Sequence, residues 1–408
     1  MNEDISIYIH IPFCKSKCYY CDFVSFENKE DDCISMYIDA LCNEILQKAE
    51  ILSQYNIKTI YFGGGTPSYI DSKHIDKIIS TLNLFKSTEN KLYEKETEIT
   101  LEINPGTITK EKIKSYKNIG INRVSLGLQT THDEILKKIG RKHTFEEFKT
   151  ALELLKEEKI DNISIDLIYP LPSLTLDMFK ESVNEIISLK DIYNIKHISI
   201  YNLEIYPKTK LAFLLKENYL TLPDEEEEYK MRLFLESTLS ENKFEKYEIS
   251  NFSIKGFESK HNLNYWNQGI YFGFGIAASS YISSTRYTNG SDIRKYLEAM
   301  SLGTSYVVEK EEMDKLDIMK EYVILKLRLK EGINALEFKN KFKVELFDIF
   351  KIEIDKLIEQ KLLVKILNEN NNIKDIDNNK NNNDTTNFNI ALTNRGFEVA
   401  NTVFRTFV

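Results

Sequence analysis

The chain has 408 residues, 42% of them hydrophobic and 29% charged, which is enough apolar material for a large domain of ~250 residues or more and a smaller one, each held by packing alone. With 54 basic against 63 acidic side chains its formal net charge is −9, a balance that argues against broad docking on nucleic acid or an anionic membrane. No run approaches the ~20 apolar residues of a spanning helix, and the start MNEDISIYIHIPFC carries no secretory or transit pattern, so the five cysteines read as reduced thiols for metal or redox use in the cytoplasm.

Ile5 to Ile11 reads as a strand, followed by a cysteine loop and a helical pattern from about Ile34 to Leu52. Short apolar runs recur at Thr59 to Phe62, Thr100 to Ile103, Val124 to Leu128, Ile163 to Ile168 and Ile198 to Tyr201, each separated by a helical segment. Such βα repetition predicts an α/β fold, a parallel sheet or barrel, with its reactive groups at the C-terminal strand ends. Beyond Pro207 the pattern turns helical, with the acidic run Asp224 to Glu228 suiting a helix start. Tyr265 to Tyr287, rich in glycine and aromatics, reads as extended structure that covers the barrel. Amphipathic segments at Glu321 to Leu329 and Glu345 to Gln360 predict helices, with a short strand at Leu363 to Leu367. The stretch Asn368 to Asn389 is dominated by Asn, Asp and Lys and reads as a flexible insertion inside the last domain.

Cys14, Cys18 and Cys21 form C-x3-C-x2-C directly after the first strand. Soft thiolates at this spacing select zinc or an iron-sulfur cluster. A structural zinc site closes with four ligands, and the nearest fourth candidate, His10, lies within the predicted strand. Three ligands therefore imply an open position, although the cysteines alone leave a three-Cys zinc site or bystander thiols standing. Cys33 and Cys42 fall on or near the next helix and read as packing residues.

At these cysteines the chain resembles the radical S-adenosylmethionine enzymes, whose motif holds a 4Fe-4S cluster with one iron open to the cofactor. Over nearly the whole chain it is similar to the oxygen-independent coproporphyrinogen III oxidase group, and most to its HemW heme-chaperone branch. The resemblance implies a partial (β/α)6 radical SAM barrel in residues 1–210, a covering segment in 211–305, and a smaller, mainly helical, winged-helix-like domain in 306–408 with the insertion at 368–389. It also implies S-adenosyl-L-methionine as cofactor, an electron donor as partner, and cleavage of the cofactor to methionine and a deoxyadenosyl radical.

Matched by motif, Tyr8 in IYIHIPFC and Tyr20 in CYYC fall where the group contacts cluster and cofactor. Gly64, Gly65 and Thr66 in GGGTP follow the second strand, where glycine lets the backbone approach a ligand closely. Glu102 in LEINPG, Gln129 in SLGLQT, Arg141 in GRKHT and Asp166 in SIDLIYPLP complete the implied cofactor set. Their types suit it, since a carboxylate accepts from ribose hydroxyls and an arginine pairs with a carboxylate.

Two features separate chaperone from oxidase by the same resemblance. The oxidases place a further cysteine two residues after the third ligand and a longer segment ahead of the motif; here Phe23 takes that position and 13 residues precede Cys14. His261-Asn262-Leu263-Asn264-Tyr265-Trp266 is the HNxxYW motif of the chaperones, which implies heme as cargo contacted by His261, Tyr265 and Trp266, with a client hemoprotein to receive it. Imidazole is a familiar axial heme ligand, and aromatic faces pack on porphyrins. One segment departs from the family pattern: where a GxGPGAHS-like run is usual, Gly273 to Ser280 reads GFGIAASS and lacks the proline, one glycine and the histidine.

Overall fold

The computed structural model describes residues 3–84, 93–369, 372–375 and 387–408. The chain forms two compact units. The first comprises Met1–Glu245, Ser250–His261 and Ile270–Glu311, and the second Lys246–Ile249, Asn262–Gly269 and Glu312–Val408.

In the first unit six strands, Glu3–Ile11, Tyr55–Gly64, Tyr93–Ile103, Arg123–Gln129, Ile163–Tyr169 and Ile195–Asn202, lie side by side in chain order. The six are parallel to one another, Asn251–Ser253 adds an antiparallel strand beside the last, and helices such as Asp31–Gln47, Ser72–Asn83 and Leu176–Tyr193 make the crossovers. Alternation along these strands divides the sheet into two chemistries. Ile5, Ile7, Ile9, Leu101, Leu126 and Ile165 point into the apolar core, where each buried side chain contributes about 1.5–3 kcal/mol. The intervening residues are polar and meet across strands on the other face. There Thr59 donates to Ser6 (2.7 Å), Tyr61 to Glu102 (2.9 Å) and Ser125 to Asp166 (2.9 Å). This polar face sets the sheet apart from one covered on both faces by helices, which would be apolar throughout.

The sheet is open. Ile270–Phe274 pairs parallel to the free edge of the first strand, with Ser279–Ile282, Thr285–Asn289 and Val307–Glu312 continuing outward. Of the segment from Tyr265 to Tyr287, expected as extended structure covering the barrel, the part from Ile270 is extended but continues the sheet instead. Backbone pairing with the exposed edge of the first strand satisfies its N–H and C=O groups better than a loop laid over the face could. Two buried groups fix it there. Glu44 accepts from the Gly275 N–H (2.8 Å), Asn289 Nδ2 (2.8 Å) and Tyr296 Oη (2.9 Å). Tyr37 Oη donates to the His10 carbonyl (2.8 Å) and accepts from the Ile276 N–H (3.2 Å).

The divergent GFGIAASS run carries a local strain at Ala277, whose φ is +55°, a left-handed conformation that glycine adopts freely and alanine does not. Ala277→Gly is therefore expected to raise stability by about 1 kcal/mol, read as a higher urea midpoint with an unchanged slope. An unchanged or lower midpoint would show that the turn is relaxed as it stands.

The second unit has its own core of residues such as Val323, Phe338, Ile354 and Ile390. Helices Lys315–Leu327, Ala335–Phe342 and Leu346–Glu359 accompany a small antiparallel sheet ordered Ile333–Asn334, Phe388–Leu392, Leu363–Glu369, Asn372–Asp375, of which all but the first strand follow the helices. Helices followed by a hairpin are the elements of a winged helix. The strand foreseen at Leu363 to Leu367 is one of four, because it needs partners on both sides. Of the asparagine-rich stretch, residues 370–371 and 376–386 lie outside the described residues.

Candidate functional site

The cysteine loop leaves the first strand at its C-terminal end. Cys14 is buried on a two-residue strand, Phe13–Cys14, while Cys18 and Cys21 are half-buried and joined by a turn in which the Cys21 N–H donates to the Cys18 carbonyl (3.2 Å). The glycine turn is stitched against it: the Gly65 N–H donates to the Ile11 carbonyl (2.9 Å) and the Thr66 N–H to the Phe13 carbonyl (2.8 Å). Gly64 has φ +106°, and a β-carbon there would stand 2.5 Å from His10 Nδ1. His10 in turn donates from Nε2 to the Val24 carbonyl (2.9 Å), so its Nδ1 accepts from Tyr8 Oη (3.0 Å). The first strand, the glycine turn and the exit of the cysteine loop thus meet on one imidazole.

Around this loop gather most residues foreseen for the cofactor. Arg141 is buried and donates to Asn104 Oδ1 (2.7 Å), to the Gly127 carbonyl (2.9 Å) and to Cys18 Sγ (3.7 Å). Gly127 makes room for it, since a β-carbon would lie 2.5 Å from Nη2. Gln129, at φ +75°, is buried with Oε1 unpartnered, and Arg141 Nε is likewise unpartnered. Buried donors and acceptors without partners are costly unless a ligand completes them. Burial is the main force raising the Glu102 carboxyl to about 7, with the neighbouring Asp166 adding to it and Tyr61 opposing it. Burial raises Asp166 too, against the Ser125 and Ser199 hydroxyls, and raises Tyr20, which lies close enough to Arg141 and Cys18 to feel their charges.

An open cleft of about 440 Å³ beside the loop is lined by Lys15, Cys18, Thr66, Asn104, Arg141 and His143. Asn104 and His143 were not singled out in the sequence, although each stands two residues after one that was. Strand parity puts Asn104 on the same face as Glu102. Burial, and then the charge of Arg141, push the His143 imidazole down to about 3, and its Nε2 has no partner.

The residues foreseen for heme do not gather here. His261 belongs to the first unit and is buried, with Nδ1 2.7 Å from Thr59 Oγ1 and its ring stacked on Tyr61 at 4.9 Å. Burial and the charge of Arg123 lower it to about 3. Tyr265 and Trp266 belong to the second unit, where Arg328 lies 4.3 Å over the Trp266 ring and the indole Nε1 is unpartnered.

The donor set fits a cluster: three thiols stand on one loop, and both Cys14 and Cys18 already receive a hydrogen bond on sulfur. Burial raises the Cys14 thiol and takes Cys21 to about 11, so ligation must release protons.

Residues 8–186 match the Radical SAM superfamily model and residues 313–369 the HemN C-terminal domain. Over 99% of its length the chain is 36% identical to a Lactococcus lactis protein named heme chaperone HemW, covering 97% of it. It is 34% identical over 88% of its length to the Bacillus subtilis heme chaperone HemW, covering 92% of that protein. Among solved structures, the coproporphyrinogen III oxidase HemN of Escherichia coli, a radical SAM enzyme, superposes with a TM-score of 0.81 at 20% identity, covering 100% of this chain and 90% of that one. No helix among the described residues is long and apolar enough to cross a membrane.

Proposed function

Because the chain belongs to the radical SAM superfamily and, within it, to the HemW heme-chaperone family, we infer that it binds heme and passes it to hemoproteins, with a 4Fe-4S cluster and S-adenosyl-L-methionine at the barrel mouth. Similarity to HemW across the full length of both chains carries this reading. Cys14, Cys18 and Cys21 would hold the cluster, and the glycine turn, Glu102, Gln129, Arg141 and Asp166 the cofactor. When bound, this pair supplies one-electron and radical chemistry. The protein's part is to position and enclose: Arg141 offers a guanidinium to a carboxylate, Glu102 accepts from hydroxyls, and Gln129 Oε1 takes a donor it lacks in the protein alone.

Heme is assigned to the HNxxYW segment. In the second unit the Trp266 face under Arg328 is an aromatic surface for it, and in the first unit His261 is a buried, neutral imidazole held by Thr59. Phe23, 66% exposed beside the cluster loop, stands where the oxidases carry a cysteine and favours the chaperone over the second reading, oxidative decarboxylation of coproporphyrinogen III. Anaerobic reconstitution followed by heme titration and an oxidase assay on one sample tests both. Heme binding without protoporphyrinogen formation is expected; absence of heme binding would overturn the chaperone reading. An electron donor and a client hemoprotein are the partners it requires.

The carboxyl at about 7 gives a pH dependence. As pH falls through 7, Glu102 takes up a proton and loses acceptor capacity, so affinity for S-adenosylmethionine should weaken as pH falls, by about tenfold between pH 7.5 and 6. Equilibrium dialysis measures this, and Glu102→Gln should flatten the profile. A wild-type profile already flat would remove Glu102 from the cofactor.

A further inference from the structure

Asn104 is held at the end of the third strand by its backbone: its N–H donates to Ser68 Oγ (3.1 Å), and its carbonyl accepts from the Thr107 hydroxyl (2.7 Å). Its side chain then reaches two residues at once. Nδ2 donates to Thr66 Oγ1 (2.8 Å), and Oδ1 accepts from Arg141 Nη1 (2.7 Å). This orientation is forced, because a guanidinium has donors only and therefore faces the amide oxygen. The amide N–H2 is left for Thr66, which must accept it, so the single hydroxyl hydrogen of Thr66 points at Cys14 Sγ, 3.5 Å away. Arg141 Nη1 has a second hydrogen, and Cys18 Sγ lies 3.7 Å from it. One amide thus sets the direction of a hydrogen bond to each of two cysteine sulfurs.

We propose that Asn104 is a positioning residue that sets the reduction potential of the cluster by aiming Thr66 and Arg141 at the sulfurs of Cys14 and Cys18. The proposal rests on the reading that these cysteines ligate a cluster. Hydrogen bonds to ligating sulfur stabilise the more negative, reduced state and raise the potential. Without Asn104, the Thr66 hydroxyl is free to rotate away from sulfur, and the guanidinium keeps the Gly127 carbonyl on Nη2 but loses the oxygen that aims Nη1. The side-chain hydrogen bonds of Asn104 go to Thr66 and Arg141, so its effect passes through those two.

The test is an anaerobic redox titration of the reconstituted full chain, followed by electron paramagnetic resonance, on Asn104→Leu, Thr66→Val and the double variant. Each single change is expected to lower the ratio of reduced to oxidised cluster about tenfold at a fixed potential, which is about 59 mV for a one-electron couple. The double variant should add little beyond Asn104→Leu, because the threonine acts through the same bond. If Asn104→Leu assembles less iron than the unchanged chain, Asn104→Asp replaces it. Asp keeps the shape and the Arg141 contact but turns the Thr66 hydroxyl toward its own carboxylate, so it too should lower the ratio, and Thr66→Val should add little to it. An unchanged potential in either Asn104 variant with full iron content, or full additivity with Thr66→Val, would overturn the proposal. Failure of the unchanged chain to assemble a cluster would instead overturn the reading beneath it.

Discussion

Replacing Cys18 with serine is expected to strip iron and sulfide from the anaerobically reconstituted protein by at least about tenfold. The outer partners of a metal ligand are worth about 10–100-fold in affinity, and a ligand itself is worth more. With three thiolates on one loop and an open fourth position, the loss of any one leaves too few bonds to hold a cluster. Cys14→Ser and Cys21→Ser should behave alike, with loss of the absorption near ~400 nm that marks thiolate-bound iron. Cys42 is the control. It is buried in the helix Asp31–Gln47 among apolar neighbours, and Cys42→Ala should keep the full iron content at a small packing cost. If the unchanged chain held zinc without sulfide and Cys18→Ser lost that zinc, the loop would be a zinc site and the cofactor chemistry would fall with it.

The second large effect is expected at Gly64. An alanine there needs a left-handed φ and places its β-carbon 2.5 Å from His10 Nδ1, and strain and overpacking together cost about 2–4 kcal/mol. The consequence reaches the ligand site, because the imidazole it displaces joins Tyr8 Oη to the Val24 carbonyl. Misplacing site groups by about 1 Å costs on the order of 10²-fold, so S-adenosylmethionine affinity should drop between about 10- and 100-fold. Gly256 separates contact from strain: its φ is +90°, and a β-carbon there meets nothing within 4 Å. Gly256→Ala should cost only about 1–2 kcal/mol and leave cofactor affinity unchanged. Equal urea midpoints for the two variants would mean that His10 yields freely.

Much of the fold was legible because parallel strands here are short apolar runs separated by helical periodicity, and both signals are local. All six sheet strands contain the apolar runs from which they were foreseen. The edge strands from Ile270 onward were harder to read. Their glycines and tyrosines read as extended structure without naming a partner, and only pairing with Ile5 to Ile9 sets them in the sheet rather than over it. The second unit read as more helical than it is for a similar reason, since Phe388–Leu392 becomes a strand by lying between two others.

By itself, the sequence determined the chemistry. Three thiols at fixed spacing after a strand, and polar residues at the C-terminal ends of the strands that follow, depend on covalent order and local periodicity alone. The tertiary structure decided which of those residues act on one another. Arg141 reaches Cys18 across 123 residues of chain, and Asn104 earns its place only because Thr66 and Arg141 arrive on either side of it. The HNxxYW motif shows the same limit from the other direction. Contiguous in sequence, it is divided by the fold, with His261 inside the first unit against Thr59 and Tyr61 and Trp266 in the second beneath Arg328. Neighbours along a chain share a motif, but burial and hydrogen bonding are set by what packs against each residue from far away, and no spacing rule encodes that.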